Sequence, residues 1–322
     1  MALLEVCGLS ASLEKNKKEF KIINNISFNI DEGEIAGLAG ESGCGKSMTA
    51  LSVMNLLPSG IKISEGGIFF KKRKISGLNE KEMSGVRGGD ISIIFQDVRQ
   101  SLNPLIKTGA QITETLFLSQ GLKINKMQKK EMALEMLTSL GFKEAENIFN
   151  AYPHQLSGGM CQRVMTAMAV IRRPSLLLAD EMSSSLDEES SNRCLSLLME
   201  MNQKEKMSLL IISHDLHVIQ KYCSRFLVMY SGKIVEEGPS SSFFSPLHPY
   251  TKALINSIPD KQKKGRKLEN IRGKVNTIEN PQAGCPFAVR CKKAKDICHK
   301  EFPPPLIADN RRVFCFFPET YR

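Results

Sequence analysis

Apolar segments at Leu3–Leu9 and Ile22–Ile30 flank a polar, lysine-rich stretch, Glu14–Glu19, and this pattern predicts an antiparallel hairpin at the start of the chain. Glu34–Ala39 reads as a short strand running into a glycine-rich loop, followed by a helix over Lys46–Leu57 that Pro58 stops. Ile91–Phe95 is a further strand, with polar connectors at Lys71–Lys74 and Gly85–Asp90. From Thr108 to Arg172 the pattern turns helical: Met127, Leu134, Leu137 and Leu140 recur at helical spacing with Lys and Glu between them. Leu176–Ala179 and Leu209–Ile212 are continuous apolar runs, which predict buried parallel strands flanked by helices. Phe226–Tyr230 and Lys233–Val235, joined by Ser231-Gly232, predict a late hairpin.

The length of 322 residues suits about two domains. With 42% apolar and 24% charged residues the usage is ordinary for a globular protein, which excludes disordered and fibrous classes. The net charge of +10 is uneven: from Asp260 onward 15 basic residues face 7 acidic ones, so this tail holds +8. A nucleic-acid protein more often carries its basic face within its main domain, so the tail points to an acidic surface, an anionic lipid or a bound cluster of negative charge. No run approaches the roughly 18 apolar residues that cross a bilayer, and Met1–Ser10 lacks the basic start of a secretory signal. The expected location is therefore cytoplasmic, where nine cysteines read as thiols or metal ligands and not as a disulfide framework. After Pro259, Lys261–Lys267 reads as a linker. The segment beyond holds six of the 14 prolines and four of the nine cysteines, which predicts a separate small module.

Gly40-Glu41-Ser42-Gly43-Cys44-Gly45-Lys46-Ser47 fits G-x-x-x-x-G-K-[ST] between a strand and a helix. Glycines let backbone N–H groups turn inward around phosphates, and the helix start adds its positive dipole end. Lys46 then reaches the β- and γ-phosphates of ATP, and the Ser47 hydroxyl binds Mg²⁺. Cys44 needs no redox role in this loop, since a free cysteine behaves as a small apolar residue. Ser175–Glu181 is an apolar strand ending in two carboxylates. Asp180 is the candidate Mg²⁺ ligand, and Glu181 the group that polarises the attacking water.

Gln96 follows one strand, Leu156-Ser157-Gly158-Gly159-Met160 opens a helix, Ser185-Leu186-Asp187 follows the paired carboxylates, and His214 follows the strand at Leu209–Ser213. In this order the motifs resemble the nucleotide-binding subunit of an ATP-binding cassette (ABC) transporter, over about residues 1–240. The resemblance implies a RecA-like α/β P-loop core with an antiparallel β subdomain and a helical subdomain near residues 97–170. It implies that Ser157, Gly158 and Gly159 bind the γ-phosphate of ATP held by another subunit, so the working unit is a dimer. It further implies that Gln96 reaches the Mg²⁺ and the water, that His214 contacts the γ-phosphate, and that Asp187 couples the two sites. Phe20 is the candidate for stacking on adenine, with a packed hairpin residue as the alternative. Met182 stands where the family usually has proline, Ser183-Ser184 replace threonines, and Cys161 replaces Arg or Gln; none of these removes a ligand or a catalytic charge.

Pro246–Leu254 and Gln162–Met165 resemble the ATPase subunits of oligopeptide, dipeptide and nickel importers, and the tail (Gly284–Phe287, Arg290-Cys291, Pro303–Pro305) extends that resemblance over almost the whole chain. The branch implies import powered by ATP-driven dimer closure, with a sister ATPase as heterodimer partner, two membrane permease subunits and, indirectly, a substrate-binding protein. It places the chain on the cytoplasmic face of the membrane as a peripheral subunit. The expected domains are a nucleotide-binding domain at 1–258 and a cysteine-rich module at 259–322. Cys285, Cys291, Cys298 and Cys315 are spaced C-x5-C-x6-C-x16-C. Four thiolates suit Zn²⁺ or a [4Fe–4S] cluster, and spacing looser than the usual zinc pairs favours iron–sulfur, as does the resemblance; free thiols are the third reading. A soluble ABC ATPase acting on DNA or ribosomes is the reading from another class. Against it, Ser157 is only 117 positions from Gly40, too few for a long coiled coil, and the chain carries one cassette.

Overall fold

The computed structural model describes residues 1–15, 18–116, 124–182, 188–257, 271, 273 and 283–319. In chain order the strands are β1 (Ala2–Lys15), β2 (Lys18–Asp31), β3 (Ile35–Ala39), β4 (Ile61–Phe70), β5 (Arg73–Lys74), β6 (Ile91–Ile94), β7 (Leu176–Asp180), β8 (Ser208–Ile212), β9 (Arg225–Tyr230), β10 (Lys233–Pro239), β11 (Leu306–Ala308) and β12 (Arg311–Val313). The helices are α1 (Lys46–Val53), α2 (Glu80–Val86), α3 (Val98–Ser101), α4 (Thr108–Thr115), α5 (Lys126–Ser139), α6 (Ala145–Asn150), α7 (Gly158–Val170), α8 (Glu188–Glu205), α9 (Leu216–Tyr222), α10 (Pro249–Asn256) and α11 (Asp296–Lys300). They fall into two compact units: Met1–Leu3, Ile30–Glu34 and Gly77–Ile211 in one, and Leu4–Asn29, Ile35–Ser76 and Ile212–Arg322 in the other.

The first unit contains strands in the order β8-β7-β6, with Ile91 paired in parallel to Leu176 and Ile94 to Ala179. Every residue of β7 and β8 is buried, as expected for strands covered on both faces. Helices α3 to α7 lie between β6 and β7 in sequence. Leu137 and Leu140 are fully buried, but Met127 is 69% exposed, so the predicted helical stripe starts further along, with Ala133 buried. Met127 lies in the first turn of α5, after the Asn125 cap.

The second unit carries a four-stranded sheet, β2-β1-β4-β5, and the strands β11-β12-β10-β9-β3. The expected early hairpin is present as β1 beside β2, and the late one as β9 with β10, where Lys233 opposes Tyr230. Helix α1 stops at Val53, short of the predicted Leu57, because Asn55 takes a left-handed φ of 49°, a conformation asparagine tolerates and a helix cannot contain. The tail does not stand apart from this unit as the composition shift suggested: β12 pairs antiparallel with β10, Glu236 opposite Val313 and Glu237 opposite Arg312. The buried Glu236 carboxylate accepts from the Leu247 and His248 N–H groups at 2.8 and 2.9 Å, locking the start of α10 to the same strand.

Candidate functional site

The phosphate loop joins β3 to α1 in the second unit. Gly45 is the N-cap of α1 with φ 111°, and a Cβ there would lie 2.8 Å from Met229 Cε, so the sharp turn and the tight approach both call for glycine. Gly40 runs so close to β9 that a Cβ would sit 2.3 Å from the Met229 carbonyl. Beside Gly43, in contrast, the space is open for 4 Å around a Cβ position. Lys46 is 4% exposed, and its Nζ donates to the Gly40 and Glu41 carbonyls at 2.9 and 3.0 Å. The ammonium is thus held on the loop's own carbonyls at a helix start, which fits a polyphosphate with its bound Mg²⁺. Ser42 is exposed, Ser47 is half-buried, and Cys44 is buried at 1% exposure, where burial pushes its thiol pKa up.

Phe20 lies on β2, half-buried, two residues before Ile22. The Ile22 carbonyl is 3.3 Å from a Cβ position on Gly45, so the strand that carries Phe20 passes the loop. His214 is exposed in the same unit, two residues past the end of β8.

The first unit contains the other candidates. Asp180 ends β7 at 5% exposure, and Glu181 follows in a left-handed conformation, φ 47°. That conformation costs a non-glycine residue about 1–2 kcal/mol. Gln96 Nε2 donates to Glu181 Oε2 at 2.6 Å, so the two residues expected near the attacking water are brought together across 85 positions of sequence. Ser157 is the N-cap of α7, its Oγ accepting from the Met160 N–H at 3.3 Å, with Gly158 and Gly159 forming the first turn. That start presents backbone donors and a positive dipole end, suited to an anion. Asp187, together with Ser183–Leu186, lies outside the described residues.

The four tail cysteines line one cavity with His248 and Phe287, in the second unit. Burial, with mutual repulsion of the thiolates as a smaller cause, pushes the Cys285 thiol up to about 11 and the Cys315 thiol up to about 12. As bare thiols these groups stay protonated at neutral pH. The cavity they line measures ≈ 20 Å³. Among the described residues no group of three or more His, Cys, Asp or Glu side chains could hold a metal ion. The donor chemistry fits a metal; the spacing seen here does not. Tyr250 and Arg290, which the sequence marked only as part of the importer-branch resemblance and not as ATP-site residues, both contact Glu41. They are 209 and 249 positions from it, too far for any local pattern to show.

A glycine loop feeding a helix, a buried lysine over it, and a strand ending in paired carboxylates define a nucleotide-hydrolysing P-loop protein. The ABC transporter family matches residues 23–184, and the C-terminal region of oligopeptide/dipeptide transporters matches residues 235–298. The chain belongs to the ABC transporter family and is an ATPase of that kind. It is 41% identical over 320 residues to the oligopeptide transport ATP-binding protein AppD of Bacillus subtilis, covering 98% of this chain and 97% of that one. To the dipeptide transport ATP-binding protein DppD of Haemophilus influenzae it is 39% identical, covering 99% and 96%. The dimeric ATP-binding cassette MJ0796, solved with ADP and Pi in a post-hydrolysis state, superposes with a TM-score of 0.68 at 25% identity, covering 74% of this chain and all of that one. Among the described residues no helix is long and apolar enough to cross a membrane.

Proposed function

We propose that this chain is the ATP-hydrolysing subunit of an importer that takes peptides across the cytoplasmic membrane. The observation that carries the reading is near-full-length similarity to peptide-transport ATP-binding subunits, tail included, in a chain whose ATP motifs are intact. Lys46 and the loop amides hold the phosphates of ATP. Ser47, Asp180 and Gln96 hold Mg²⁺, which supplies charge neutralisation at the β- and γ-oxygens. Glu181 polarises the attacking water, with Gln96 and His214 orienting it, and Phe20 stacks on adenine. Ser157, Gly158 and Gly159 complete the site of a second ATPase subunit, a sister chain in a heterodimer, with Asp187 coupling the two. Closure of that dimer drives two membrane permeases supplied by a substrate-binding protein, and the chain works at the cytoplasmic face.

The test is uptake of labelled dipeptide, longer peptide and nickel in cells lacking this gene. Loss of dipeptide or longer-peptide uptake, restored by the intact gene, is the expected result. Loss of nickel uptake alone would move the substrate to a metal chelate, and three unchanged uptakes in a strain without a second importer would reject import.

For the tail, the reading is a [4Fe–4S] cluster on Cys285, Cys291, Cys298 and Cys315, with Zn²⁺ as the alternative. Its support is the four cysteines around one cavity and the resemblance of the tail. Protein purified without oxygen is expected to be brown and to hold about four irons per chain. Colourless protein, with zinc or with no metal, rejects the cluster.

A further inference from the structure

Arg290 precedes Cys291 in the tail, yet its side chain is 5% exposed and its guanidinium ends at the phosphate loop. Its terminal nitrogens fork onto the Glu41 carboxylate, Nη1 to Oε2 at 2.7 Å and Nη2 to Oε1 at 3.1 Å. Nη1 also donates to the Tyr230 hydroxyl at 3.2 Å, and Nη2 to the Ile271 carbonyl at 3.1 Å. The backbone of Glu41 is held too, its N–H donating to the Tyr250 hydroxyl at 2.8 Å. Tyr230, Tyr250 and the tail's Phe287 pack with ring centroids 4.5 to 5.3 Å apart, so both anchors of Glu41 rest on one aromatic cluster. The Glu41 carbonyl in turn accepts from Lys46 Nζ at 3.0 Å.

A carboxylate at the entrance of a phosphate loop works against the loop's own ligand. Left unpaired, its charge repels the phosphates and competes for Lys46. A bidentate guanidinium both neutralises that charge and fixes the plane of the carboxylate, which a point-charged ammonium does not. We propose that Arg290 is a positioning residue for nucleotide binding: by pinning and neutralising Glu41, the tail keeps the loop in shape and leaves Lys46 to the phosphates. The proposal rests on the reading that residues 40–47 hold the phosphates of ATP. It makes the cysteine-bearing tail part of the support of the ATP site.

The test measures binding of a fluorescent ATP analogue to the full chain, and the ATP KM of the assembled transporter. Arg290→Met is expected to raise both dissociation constant and KM by about tenfold, with kcat within about twofold. Adding Glu41→Gln to that variant removes the stranded charge and is expected to recover most of the loss. Unchanged affinity in folded Arg290→Met, or a double variant no better than the single, overturns the proposal; a merely structural contact would lower the melting temperature without such recovery. If Arg290→Met does not fold, Arg290→Lys is measured instead, with an expected rise of about threefold, and an unchanged affinity there overturns the proposal equally. Lys46→Ala in parallel separates the two readings. Binding lost in Lys46→Ala but kept in Arg290→Met rejects the role of Arg290 alone, whereas binding kept in Lys46→Ala rejects the phosphate-loop reading beneath it.

Discussion

Glu181→Gln is expected to lower the ATP turnover of the assembled transporter by about 10²–10⁴-fold while ATP affinity stays within about twofold. The substitution keeps the size and hydrogen-bonding reach of the side chain, so the 2.6 Å contact with Gln96 retains an acceptor. On the proposed reading, what it removes is the negative charge that draws a proton from the attacking water. The left-handed backbone at φ 47° is a property of the strand end and persists in the variant, so the amide points where the carboxylate did. Phosphate binding does not use Glu181, and ATP should therefore accumulate bound and uncleaved. Single-turnover hydrolysis and equilibrium binding on the same preparation read the two effects separately. Hydrolysis at the unaltered rate would remove Glu181 from the reaction and leave Gln96 pairing with it as a purely structural bond.

Lys46→Ala acts on the other half of the reaction. ATP affinity is expected to fall by about 100-fold, near 2.8 kcal/mol at 1.4 kcal/mol per tenfold, and peptide uptake with it. Hydrogen bonds to a charged group are each worth about 1.5–3 kcal/mol, and the lysine is the one side-chain cation of the loop motif. Its removal also strips the Gly40 and Glu41 carbonyls of the donor they share at 2.9 and 3.0 Å, so the empty loop loses definition before any nucleotide arrives. Binding by a fluorescent ATP analogue, alongside a melting curve to show that the variant is folded, measures the effect. Affinity within about threefold of the unaltered protein would reject the reading that this loop holds the phosphates.

Much of the site was legible because its chemistry is local. The glycine loop needs φ values and close approaches that side chains forbid, and those requirements appear as glycines at fixed spacing. The cap of α7 needs a hydroxyl directly before two glycines, and Ser157 shows it. Strands β7 and β8 are buried throughout, and their apolar runs say so. Less was legible at element ends. The stop of α1 came from a left-handed Asn55 and not from Pro58, and the exposure of Met127 came from its place at the first turn of α5, which periodicity cannot distinguish from a core position.

The sequence by itself determined the class of chemistry, the order of the ATP motifs, and the alternation of strands and helices that carries them, because each is a pattern over a few consecutive residues. The tertiary structure alone decided what long-range strand pairing brings together. Pairing β12 onto β10 merged the tail with a sheet that composition had set apart from it. Residues 249 positions apart then became an ion pair, with Arg290 closing on Glu41. A guanidinium can find its carboxylate at any separation along the chain, and only the packing of the folded sheet and its aromatic cluster selects which one.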